Sequence, residues 1–308
     1  GKNTMLQKLH NIFILLILSI VLIVPVQSAE ADLPDGYPLC WRADVNKENF
    51  CPININLGHK LFLVDFTSRW EPKQVDWIKG RIFGNTITRN TPPYHKITYI
   101  KLEETAPESQ KVVYSKCRFK TGNKSKKYPG EEYNDDCESI DIVKQAHQAW
   151  LSSLKKVEET FFDSHIIDAK QSLIIEYIAN ILREPKIDFT GDYPERKLII
   201  VSDLMQMSDR INFYKFCKSV TSLKKPDKCP SFQKLLKKSG VKHYLDTIKP
   251  KNVENLKVEI IFMNHSYQTK CKLGKTLIPL WVDLFKYWGI NIDPVDDITY
   301  ELDTKDTC

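Results

Sequence analysis

Two apolar runs constrain this chain most, because each breaks off into an aspartate flanked by hydroxyls. Lys60-Leu61-Phe62-Leu63-Val64 runs into Asp65-Phe66-Thr67-Ser68-Arg69, and Lys197-Leu198-Ile199-Ile200-Val201 runs into Ser202-Asp203. Unbroken apolar runs of this length, bounded by polar turns, predict strands buried on both faces, as in a parallel sheet covered by helices. Ligands of such sheets bind in the crevice at the carboxyl ends of the strands, and both runs deliver an acid and hydroxyls to that edge. Two carboxylates with hydroxyls beside them make an oxygen-rich set suited to a hard divalent cation.

The remaining pattern agrees with one α/β fold. Residues 96–102 alternate as a strand does, Val112-Val113-Tyr114 predicts another, and residues 258–263 a further buried one. Between them lie helical patterns: a segment opened by Pro72 with Val75, Ile78, Ile82 and Phe83 on its apolar face; residues 140–162 with Trp150, Leu151, Leu154, Val157 and Phe161; a segment opened by Ser172; and residues 277–288. Strands alternating with helices predict a doubly wound, mostly parallel sheet flanked by helices, with right-handed crossovers. The expected organisation is a leader over 1–31, an irregular segment over 32–59, the α/β domain over 60–290 with insertions near 115–139 and 217–230, and a tail over 291–308.

Asp65-x-Thr67 after the first strand, a hydroxyl before a middle helix, and Val201-Ser202-Asp203 after a later strand resemble a von Willebrand factor A-type domain and its metal-ion-dependent adhesion site. That family carries Asp-x-Ser-x-Ser in its first loop, a Thr in a second and an Asp, commonly followed by Gly, in a third. The resemblance implies that Asp65, Thr67, Ser172 and Asp203 hold magnesium, and that a partner protein's carboxylate completes the shell. Two positions depart from the pattern. Arg69 stands where the second hydroxyl belongs, and a guanidinium has no lone pair to give a metal; Leu204 replaces the Gly. If Arg69 turns inward, it takes the cation's place and pairs with the acids; if outward, the metal site stays open.

The leader pattern is Lys8 followed by an apolar run over 12–26 and small residues at Ser28, Ala29 and Ala31. It reads as a signal peptide, with an uncleaved anchor as the alternative and the only route to membrane contact. Eight cysteines, Cys40, Cys51, Cys117, Cys137, Cys217, Cys229, Cys271 and Cys308, all follow it, which predicts disulfides in an oxidising compartment, periplasmic or extracellular. Among about 105 connectivities, proximity in sequence suggests Cys40 with Cys51, Cys117 with Cys137, Cys217 with Cys229, and Cys271 with Cys308.

A net charge of +6, spread over scattered lysines, is a solvated surface, and nucleic acid is not an expected partner. Enzyme signatures fail one by one. The second Asp of a haloacid-dehalogenase-type phosphatase is Thr67 here, there is no Gly-x-Ser-x-Gly elbow or Gly-rich phosphate loop, and Asp203 lacks the acidic neighbours of a two-metal nuclease. Of the histidines, His265 is the one expected near the sheet edge. The expectation is therefore a non-catalytic, exported protein-binding domain of bacterial cell-envelope type. The alternatives are a metal-independent scaffold component of an envelope assembly and a metal-dependent hydrolase using Asp65 and Asp203. Trp70, Tyr94, Tyr267 and Tyr287 are either exposed anchors or core, and no binding surface is assigned from them.

Overall fold

The structure is a computed structural model, and it describes residues 33–163, 169–217, 228–264 and 273–301. The chain falls into two compact units, Gly1–Pro34 and Asp35–Cys308. Only residues 33 and 34 of the first are described, and the second carries the sheet. The leader, Cys271, Cys308, His265 and Tyr267 lie outside the described residues.

Six strands form one sheet: β1 (Gly58–Asp65), β2 (Lys96–Leu102), β3 (Val112–Cys117), β4 (Glu195–Ser202), β5 (Leu256–Phe262) and β6 (Ile298–Tyr300). Their spatial order is β3-β2-β1-β4-β5-β6. All neighbours run parallel except β2 and β3, which are antiparallel. The helices are α1 (Trp41–Asp44), α2 (Pro72–Ile82), α3 (Gly84–Asn90), α4 (Ile140–Phe161), α5 (Ile174–Ile181), α6 (Phe213–Phe216), α7 (Phe232–Leu236), α8 (Val241–Ile248) and α9 (Gly274–Tyr287). Among the described residues no helix is long and apolar enough to cross a membrane.

Strand alternation sorts the sheet's side chains into two cores. Leu61, Leu63, Leu198, Ile200, Val258 and Ile260 pack on one face with α5, α8 and α9. Phe62, Val64, Ile97, Tyr99, Ile199 and Val201 pack on the other with α2 and α4. Trp150, Leu154 and Phe161 are buried from the α4 stripe, while Leu151 and Val157 are partly so. Pro72 stands at the first turn of α2, whose start is a capping box between Glu71 and Gln74. The tail expected from residue 291 contributes β6, a three-residue strand too short to show a period in sequence.

The disulfides correct the pairing expected from proximity. Cys40 bonds Cys137 and Cys51 bonds Cys117, whereas Cys217–Cys229 is as expected. Long-range contacts decide this. The backbone N–H of Cys117 donates to the carbonyl of Asn49 at 2.8 Å, laying the segment before Cys51 along the end of β3. Glu138 accepts from the Trp41 backbone N–H at 3.1 Å and pairs with buried Lys120, bringing Cys40 to Cys137. The two bridges clasp the N-terminal segment to the first insertion in a lobe beside the β3 edge. Three disulfides fit an exported chain.

Candidate functional site

The strand order reverses direction between β1 and β4. In an open parallel sheet this reversal separates the connections above two adjacent strands and leaves a crevice at their carboxyl ends. Asp65 ends β1, and Asp203 follows β4, whose Val201 is the register partner of Val64. Both carboxylates are buried, at 1% and 2% exposure.

Two hydrogen-bonded sets, one on each aspartate, tie three loops at this point. Asp65 Oδ1 accepts the backbone N–H of Thr67 at 2.9 Å, and Thr67 Oγ1 lies 2.5 Å from the same oxygen and 2.8 Å from Ser172 Oγ. Asp65 Oδ2 accepts from Ser202 Oγ at 2.7 Å. Asp203 Oδ2 accepts from Ser68 Oγ at 2.8 Å, and its Oδ1 from the backbone N–H of Met205 at 2.9 Å. Asp65, Thr67 and Ser172 are thus joined by hydrogen bonds, and the charge of Asp203 acts on Asp65. Ser68 and Ser202 complete the two sets. Neither belongs to the expected set, although each neighbours a predicted residue, which was the available signal.

Helix capping, the ordinary use for such residues, does not account for the arrangement. Asp65 and Thr67 form a turn well before α2, which Glu71 caps. The first helix after Asp203 is α6, capped by Asn212. Ser172 does not cap α5 either: its backbone pairs with Met207, and the buried N–H of Ile175 donates instead to Gln206 Oε1 at 2.9 Å. A side chain from the β4 loop thus supplies the cap that leaves Ser172 Oγ facing Thr67.

Leu204 has φ +61°, a left-handed conformation that glycine adopts freely and a branched side chain does not. The site where the sequence departs from Asp-Gly therefore keeps a glycine-like backbone. Full burial of the Leu204 side chain, the bond from its N–H to Ser202 Oγ and the bond from Trp281 Nε1 to its carbonyl hold it there.

Arg69 is exposed, and no ion pair of described residues joins it to Asp65. It takes the outward course, so no guanidinium fills the crevice in the cation's place. Trp70 and Tyr94, two of the candidate anchors, are buried; the Trp70 indole donates to the carbonyl of Asp65 at 2.8 Å. His59, His95 and His147 have pKa values lowered by burial, as packed neutral imidazoles do.

Burial, and then the charge of Asp203, push Asp65 up to about 6 against the hydrogen bonds from Thr67 and Ser202. Burial likewise raises Asp203. An added cation would remove this cost. Neighbouring oxygens on an octahedral magnesium, each 2.0–2.1 Å from the ion, are about 2.9 Å apart, close to the Thr67–Ser172 separation of 2.8 Å. That separation is also an ordinary hydroxyl hydrogen bond, so the Thr67 and Ser172 hydroxyls, with the Asp65 and Asp203 carboxylates on the β1 and β4 loops, are compatible with magnesium without requiring it. Among the described residues no three His, Cys, Asp or Glu side chains group as metal ligands, so the donor set would be carboxylate and hydroxyl together.

The chain matches no protein-family model and no curated protein.

Proposed function

We propose that this chain is an exported, non-catalytic protein-binding module built like a von Willebrand factor A domain, in which Asp65, Thr67, Ser172 and Asp203 hold magnesium. A carboxylate of the partner protein fills one of the remaining coordination positions. The observation that carries this reading is the meeting of the Thr67 and Ser172 hydroxyls at 2.8 Å beside the buried carboxylate of Asp65, which also feels the charge of Asp203. The switch-point location and the left-handed backbone of Leu204 support it. When bound, the metal supplies a Lewis-acidic position for an anionic oxygen; the chain's own part is to hold the oxygens in place and keep Arg69 clear of them. Periplasmic or cell-surface placement, in a bacterial envelope, belongs to the same reading.

One observation favours a second reading, a metal-independent scaffold. Both oxygens of Asp65 are already satisfied by protein donors, so the loops hold together without an ion. Calorimetric titration of the oxidised protein with magnesium and manganese separates the two, run beside Asp65→Ala and Arg69→Ser. Saturable binding that disappears in Asp65→Ala and survives in Arg69→Ser is the expected result. Absence of heat in both the parent and Arg69→Ser would refute the metal site and leave the scaffold.

A further inference from the structure

The lobe closed by Cys40–Cys137 and Cys51–Cys117 has a polar centre that the candidate site does not use. Arg118 is 2% exposed, and Tyr94, on the loop leading into β2, is 1% exposed. Arg118 Nη2 pairs with Glu131 Oε1 at 2.5 Å, but Arg118 Nε and Nη1, Tyr94 Oη and Tyr37 Oη are buried without a hydrogen-bond partner. These four atoms belong to one neighbourhood. The Tyr37 and Tyr94 rings meet edge to face at 5.6 Å. The Tyr94 backbone N–H donates to the Arg118 carbonyl at 2.6 Å. Tyr37 Oη lies so close over Gly130, the neighbour of Glu131, that an added Cβ there would come within 2.1 Å of it.

Native interiors rarely leave buried donors unpaired, and the usual partner, where the protein offers none, is an internal water holding two to four polar groups. Glu131 is already engaged, with Oε1 on Arg118 and Oε2 accepting the Thr121 N–H at 2.8 Å. Four free polar atoms therefore need acceptors that can also donate to a phenol oxygen. The charges of the lobe decide between water and a small anion. At the buried centre Arg118 is matched by Glu131 and Lys120 by Glu138, so each buried cation already has its own carboxylate. Burial raises the pKa of both phenols, so they remain neutral hydroxyls.

We infer that the disulfide-closed lobe contains a built hydration site, in which ordered water bridges Tyr37, Tyr94 and Arg118 as a permanent part of the fold. The lobe then holds a hydrated polar centre clasped by two disulfides, at the margin of the core to which Tyr94 belongs.

A high-resolution crystal structure of the oxidised chain tests this, with a second data set from crystals grown in bromide and a third from Tyr94→Phe. The expected result is water density within hydrogen-bond distance of at least two of the four atoms, no anomalous bromide signal there, and loss or displacement of one water in Tyr94→Phe. A bromide peak on Arg118 would overturn the proposal in favour of an anion site. Direct pairing of the four atoms with protein groups, or an empty space between them, would overturn it as well. Should Tyr94→Phe fail to fold, the parent data sets alone still decide the matter.

Discussion

Asp65 makes a sharp prediction, because its carboxyl is buried beside another acid. Its pKa stands near 6 in the folded chain and returns to its ordinary value, 3.8, on unfolding. Between these two values the folded state binds the extra proton, so stability falls as pH rises through the window and levels off above it. In the absence of divalent ions the ionisation of Asp65 should cost about 1 kcal/mol at pH 4.5 and about 3 kcal/mol at pH 7.5, a difference of about 2. Asp65→Asn removes that term. It also loses something at every pH, since an amide cannot accept at both positions as the carboxylate does from Thr67 and Ser202, at about 1 kcal/mol. The expected outcome is a variant about as stable as the parent at pH 4.5 and about 2 kcal/mol more stable at pH 7.5. Urea denaturation in chelator at both pH values measures it, and taking the difference between variant and parent cancels the titrating groups that do not interact with Asp65. An Asp65→Asn variant that loses more stability at pH 7.5 than at pH 4.5 would refute the argument, since it would mean that the carboxylate is stabilised by its surroundings.

Other substitutions test the supporting structure. Leu204→Gly should be more stable than Leu204→Ala by about 1 kcal/mol, reversing the usual order, because alanine retains the left-handed strain; thermal denaturation of the two gives the sign. Gln206→Ala removes the acceptor for the Ile175 N–H and the donor to Glu176 Oε2 and should cost about 1–2 kcal/mol in urea. Non-reducing peptide mapping should recover Cys40–Cys137 and Cys51–Cys117, and a recovered Cys40–Cys51 peptide would refute the lobe. Because Cys51–Cys117 spans 66 residues and Cys217–Cys229 spans 12, their removal should cost about 4 and about 3 kcal/mol respectively by the loop-entropy relation.

The sheet was legible because its central strands are unbroken apolar runs. Leu61 to Val64 and Leu198 to Val201 face a core on each side, and that pattern has few other uses. Asp65, Thr67 and Asp203 were legible for the related reason that strand ends converge on one edge. Ser172 Oγ reaches Thr67 for a different reason than the one sequence offers. It looks like a helix cap, yet Gln206, 34 positions away, does the capping, and no local pattern reports a cap donated from another loop. The disulfides failed on the same ground. Nearest cysteines are natural partners only when the chain between them is a closed loop, whereas here Asn49 and Glu138 draw the N-terminal segment onto the insertion. Strand β6 was missed because Ile298-Thr299-Tyr300 is recognisable only by its pairing with β5.

The same two carboxylates give the two functional readings different responses to magnesium across this pH window. Without a cation, deprotonating Asp65 leaves a buried charge, set further against that of Asp203, and costs stability. With magnesium on the site, deprotonation creates the ligand the metal needs, and saturation at 100 times Kd adds about 2.7 kcal/mol. A protein that binds magnesium here should therefore lose stability between pH 4 and pH 6 in chelator, and lose less or gain in excess magnesium, so that the two curves diverge through the window set by Asp65. A scaffold that ignores metal gives two superimposed curves, each falling over the same range. Superposition of the curves would remove the adhesion site while leaving the buried acid pair intact. The carboxylates would then serve to fix the β1 and β4 loops through Thr67, Ser68 and Ser202, and the partner surface would have to be sought elsewhere on the molecule.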